Sequence, residues 1–128
     1  MSAFDTGLFA PPGGFAVRIM DLSGGNGADP VETIRGFQTL GHANAFARRY
    51  VRDSMERCRG RGMAAVDVVA AWFAFGEDAE VVGGAEQAWR SAAELNDFAA
   101  RPPQDAEDRN WRALDPRRDE DEAAEEEE

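Results

Sequence analysis

Six arginines fall between Arg48 and Arg61, and Arg48, Arg49, Arg52 and Arg57 form a band along one side of a segment with helical periodicity. A guanidinium is permanently charged and offers five N–H donors in a planar fork, so such a band suits carboxylate or phosphate recognition. The same residues also allow self-pairing at four-residue spacing, Arg49 with Asp53 with Arg57 and Arg52 with Glu56, which would make the band a solvated helix face. No aromatic residues interleave on that face as they do where single-stranded bases stack, so a protein partner is favoured over nucleic acid.

A second set gathers around Trp72-Phe73-Ala74-Phe75-Gly76-Glu77-Asp78, where aromatics run into a glycine and two acids. Glu77 and Asp78 are able to receive a basic partner, or to serve as acid and base if the single histidine, His42, closes a cleft with them. The plainer expectation has Trp72 and Phe75 in the core, the acids in a solvated turn, and His42 on the surface of a first helical turn. No serine, cysteine or carboxylate stands at a spacing that implicates His42 in a triad.

Several chemistries are excluded by residue type. All 14 basic residues are arginine, so there is no lysine for a Schiff base or a phosphate-binding loop. One histidine and one cysteine cannot build a structural zinc site, and Glu77, Asp78 and Glu80 lack calcium-loop spacing. Ser23-Gly24-Gly25-Asn26-Gly27 follows a strand pattern, but no helix opens behind it, and it reads as a hairpin turn rather than a phosphate cradle. No cofactor and no metal are expected.

The elements that position these residues follow from periodicity. Phe15, Val17 and Ile19 alternate with Ala16, Arg18 and Met20, a half-buried strand over 15–22, and residues 31–39 form its antiparallel partner. Thr39 caps a helix over 40–59, with Ala43, Phe46, Ala47, Tyr50, Val51 and Cys58 facing inward, ended by Gly60-Arg61-Gly62. Residues 63–75 mix valine with alanine; the expectation is a short helix, then a strand entering at Trp72–Phe75, a turn at Gly76-Glu77-Asp78, and another short strand over 79–82. A last helix spans 85–100 and stops before Pro102-Pro103. The large apolar members, Phe15, Val17, Ile19, Phe37, Phe46, Tyr50, Trp72, Phe75, Leu95 and Phe98, are expected in one core.

The fold class that results is α+β: a small antiparallel sheet, made of the N-terminal hairpin plus one or two short strands, packed against two main helices. Pro11-Pro12-Gly13-Gly14 makes residues 1–14 a flexible arm, 15–101 a single domain, and 102–128 a disordered acidic tail whose last ten residues are only Asp, Glu and Ala. Trp111 and Leu114 interrupt that tail; if they dock, disorder begins later.

Net charge is −11, distributed as −2 over 1–38, +4 over 39–62, −6 over 63–100 and −7 over 101–128. An acidic field disfavours nucleic acid and anionic membrane. No stretch spans a bilayer, the lone Cys58 forms no internal disulfide, and the arginine-for-lysine bias is that of a GC-rich bacterial genome, so a cytoplasmic bacterial protein is expected. The function expected is a non-enzymatic interaction or accessory protein, engaging a protein partner through the arginine face, the acidic tail, or both. The alternatives are a small enzyme or ligand-binding protein with its cleft at Glu77, Asp78 and His42, and an arginine-helix nucleic-acid binder.

Overall fold

Alternating apolar residues make Phe15–Asp21 a strand, β1, and Glu32–Phe37 its antiparallel neighbour, β2. The computed structural model describes residues 14–118, so the arm up to Gly13 and the acidic residues 119–128 lie outside the described residues. Val17 pairs with Ile34 and Phe15 with Phe37, with a register shift between them. Gly36 takes φ +98 at that irregularity, a conformation L side chains rarely adopt. The connecting turn is tied by Asp21 Oδ1, which accepts from the Ser23 amide and hydroxyl, and by Asn26 Nδ2, which donates to the carbonyls of Asp29 and Pro30.

Helix α1 spans Leu40–Cys58, capped as expected by Thr39, whose side chain accepts from the His42 amide at 3.1 Å. Ala43, Phe46, Ala47, Val51 and Met55 turn inward and are fully buried against Phe15, Val17, Ile19, Ile34 and Phe37. On the sheet's other face Arg18 and Glu80 meet at 3.4 Å, both half-exposed.

The expected short helix before Trp72 and the strand over 79–82 are present, but residues 72–78 depart from expectation. Trp72–Phe75 does not enter the sheet but completes a helix, α2, over Ala65–Phe75. Val68 and Trp72, one helical turn apart, bury themselves fully, and this packing outweighs the strand preference of the valines and aromatics. Gly76 is not the start of a turn; its amide donates to the Trp72 carbonyl and ends the helix. Glu77 and Asp78 are not turn residues either, since β3 runs Glu77–Val82 and pairs antiparallel with β1 from Asp21↔Glu77 to Ala16↔Val82. The sheet order is β2-β1-β3, which with the helices gives the expected α+β class.

The expected 85–100 helix is broken into 3-10 turns at Ala85–Gln87 and Ser91–Ala93 and a short helix, α3, at Leu95–Ala100. A side chain of α1 takes backbone groups that a continuous helix would have satisfied, and a side-chain bond within the segment fixes its fold. Asn44 donates to the Gln87 carbonyl and accepts from the Trp89 amide, both at 2.9 Å, and Glu94 accepts from Trp89 Nε1 at 2.8 Å.

Residues 102–118, expected to begin the disordered tail, instead form 3-10 turns at Ala106–Arg109 and Arg112–Leu114 that run along α1. Trp111 and Leu114 are half-buried against the core, with the Trp111 ring 4.9 Å from Tyr50 and 5.8 Å from Phe46. Of the expected core residues, Phe75 alone is exposed, at 77%; the helix carries it past the sheet rather than into it.

Candidate functional site

The arginine band lies where the sequence puts it, on α1, but its charges are engaged within the chain. Arg48 grips Glu94 through two parallel bonds of 2.7 and 2.8 Å, raising the basicity of the guanidinium and holding the Glu94 carboxyl below its usual range. Arg49 donates to the Asn110 carbonyl and meets Glu107 at 3.5 Å. Arg52 is buried, its guanidinium 4.6 Å from the Phe98 ring centroid and donating to the Arg101 carbonyl at 2.8 Å. Arg57, the most exposed of the four, pairs with Asp53 at 3.1 Å.

Of the expected pairings along the helix, only Asp53 with Arg57 forms. Asp53 spends its other acceptor sites on Arg109 Nε at 2.7 Å and Trp111 Nε1 at 3.1 Å. Glu56 takes Arg59, which also donates to the carbonyls of Phe98 and Ala99. The band thus anchors segments 94–101 and 105–111, whose acids and carbonyls stand where an external anion would.

Glu77, Asp78 and His42 are not brought together. Glu77 and Asp78 are consecutive strand residues and face opposite sides of the sheet. Glu77 accepts from the Tyr50 hydroxyl at 2.8 Å, and burial, then the bond to Glu77, pushes the Tyr50 phenol up out of its ordinary range. Burial also raises the Asp78 carboxyl, against the opposing hydrogen bonds from Ser91 and the Ala79 amide. His42 donates through Nε2 to the Leu114 carbonyl at 2.6 Å and sets its ring edge-on to Phe37. Phe37 pairs with Phe15 at one end of β1 and Glu77 with Asp21 at the other, a separation of roughly 20 Å at strand rise.

A cavity of about 500 Å³ opens beside Glu77, lined by Asp21, Ser54, Arg57, Cys58, Phe75 and Gly76. Burial raises the Cys58 thiol, which keeps it protonated and weakly nucleophilic. Asp21 is held acidic by the Ser23 hydroxyl, and Arg57 is already paired with Asp53. Among the described residues no group of three His, Cys, Asp or Glu is arranged to hold a metal, and no helix is long and apolar enough to cross a membrane.

The surface that sequence reasoning missed is the outer side of α2. Asp67 is the only polar residue in Ala65–Phe75, and with Val68 and Trp72 packed inward the outer side leaves Val66 74% and Phe73 52% exposed, the Phe73 ring resting edge-on against Trp72 at 5.1 Å, with Ala70 and Ala74 open between and beside them. Residues 66, 70 and 73 follow the i, i+4, i+7 rule of one helix face. Phe75 belongs elsewhere, about 160° around the helix from Phe73 at 100° per residue, on the rim of the cavity beside Glu77. The usable sequence signal was the lack of polarity all round: a soluble helix apolar on every side has two faces to bury. No protein-family model matches the chain, and neither a similar curated protein nor a similar solved structure was found.

Proposed function

We propose that this chain is a protein-binding module whose docking surface is the outer face of α2. The observation that carries the reading is the exposure of Val66 and Phe73 on a helix with one polar residue. Leaving such a face in water forgoes its burial at about 25 cal/mol per Å² of apolar surface, and helix-face recognition uses the spacing of Val66, Ala70 and Phe73. Because Arg48, Arg49 and Arg52 are engaged within the chain, the partner surface moves from the arginine band to α2. An apolar face on a chain of net charge −11 favours protein over nucleic acid. The free, half-buried Cys58 accords with a reducing, cytoplasmic setting.

The test compares the native chain with Phe73→Ser as affinity baits in extract of the source cells, after circular dichroism has confirmed equal folding. A protein held by the native chain and released by the single surface change supports the reading. Identical captures by the two baits would sink it.

A further inference from the structure

We infer that the occupant of the α2 face is a basic amphipathic helix of another protein, laid along Val66, Ala70 and Phe73 with arginine or lysine at its flanks. This rests on the reading of α2 as a docking surface and adds the chemistry of what docks. Val66 to Phe73 spans about 10 Å of helix axis, two turns, with the small Ala70 in the middle. A small residue at the crossing point lets two helix axes approach to the close end of their usual 8–10 Å spacing while Val66 and Phe73 grip on either side.

Charge selects the partner. Asp67 is the one charge on α2, is exposed, and forms no ion pair among the described residues. Residues 63–100 carry −6, and the whole chain −11. Nearby cations are mostly spent: Arg101 on Asp97, Arg57 on Asp53 and Arg59 on Glu56. Arg61, on the approach to the helix, is the exception. A basic helix gains an apolar seam and a pairing with Asp67, and the acidic field steers it toward this chain. A second copy would bring another −11 to the contact, and an antiparallel α2 pair would set each Asp67 against the other copy's apolar Phe73 end, leaving the carboxylate without a partner.

The experiment titrates the full chain against three labelled 18-residue peptides by fluorescence anisotropy: an amphipathic helix of leucine and arginine, the same pattern with glutamate for arginine, and the same with serine for leucine. Sedimentation of the chain alone accompanies them. The leucine–arginine peptide should bind, weakened about tenfold or more by Phe73→Ser and about threefold by Asp67→Asn, with the second effect fading at high salt. If the leucine–glutamate peptide binds equally well through Phe73, the charge assignment is overturned while the docking face stands. If the chain self-associates and Phe73→Ser abolishes it, the occupant is a second copy and this inference falls. If no peptide binding and no self-association depends on Phe73, or if the serine–arginine peptide binds as well as the leucine–arginine one, both this inference and the docking face fall together.

Discussion

Asp53 Oδ1 accepts from Arg109 Nε at 2.7 Å across 56 residues of chain, and the same carboxylate takes Trp111 Nε1 on its other oxygen. Asp53, whose side chain is only 10% exposed, is thereby the anchor of the segment that follows α3. Asp53→Ala removes the acceptor for Arg109, Trp111 and Arg57 at once, and should cost about 3 kcal/mol, the scale for breaking a buried charged pair. Hydrogen exchange should rise over residues 105–114 before it rises in α1. Loss confined to global stability, with no selective exchange there, would remove Asp53 from this role.

Phe46 stands fully buried among Phe37, Tyr50 and Trp111, with ring centroids 5.1, 5.9 and 5.8 Å away. Phe46→Ala should therefore cost about 3 to 5 kcal/mol in chemical denaturation. An unchanged midpoint would contradict the packing of α1 on the sheet.

At Gly76 the backbone passes so close to Trp72 that an added Cβ would overlap the indole Cδ1 and sit 2.7 Å from the Trp72 carbonyl oxygen. Trp72 is itself pinned by its Nε1, which donates to the Glu77 carbonyl. Gly76→Ala should destabilise by about 1 to 3 kcal/mol, as overpacking does, and shift the near-ultraviolet circular dichroism of the tryptophans. A silent substitution would mean that the α2–β3 junction is looser than its geometry.

Glu94 and Asp78 should give pH dependences of opposite sign. Arg48 holds the folded Glu94 carboxyl below its ordinary 4.5, so its stabilisation is complete above 4.5 and is lost as pH falls through the lowered folded value. Glu94→Gln should cost about 1 kcal/mol at pH 7, since Arg48 is partly solvated, and the difference from the native chain should shrink in acid. Burial raises the folded Asp78 carboxyl above its ordinary 3.8, so its ionisation opposes folding at neutral pH and is relieved as pH falls. Asp78→Asn should then be at least as stable as the native chain at pH 7, with the advantage gone below 3.8. Parallel pH profiles for the two variants would contradict both assignments.

What the sequence made legible was local. Thr39 ahead of a three-and-four apolar pattern is a helix start wherever it occurs, and Phe15-x-Val17-x-Ile19 opposite a glycine turn is a hairpin; both stand in the structure close to their expected bounds. What stayed hidden depends on partners far along the chain. Ala85–Ala100 has helical composition, yet Asn44 captures two of its backbone groups from 43 and 45 residues away. Residues 102–118 have the charge of a disordered tail, yet Asp53 and His42 fasten them to α1. Trp72–Phe75 was pulled toward a strand by its aromatics, because nothing local reveals that Val68 and Trp72 share one buried side. For the outer side of α2 the all-round apolarity of Ala65–Phe75 is legible in the sequence, but which side stays open is known only once Val68 and Trp72 are seen to fill the other.

The reach of the C-terminal contacts has a consequence for how the chain comes to be made. Glu32 meets Arg117 across 85 residues, so β2 and α1 emerge from the ribosome long before the segment that closes over them. At synthesis rates of about 5–20 residues per second, residues 102–118 take roughly one to four seconds to follow α3. Through that interval Asp53, Arg49 and the side of Phe46 that Trp111 later covers lack the cover that residues 102–118 supply. The nascent chain thus passes through a window in which Arg49 and Asp53 lack their later partners and its aromatic flank is wet, while Arg48, Arg52 and Arg59 already have theirs within residues 56–101, so whatever meets α1 then meets a different surface from that of the folded domain.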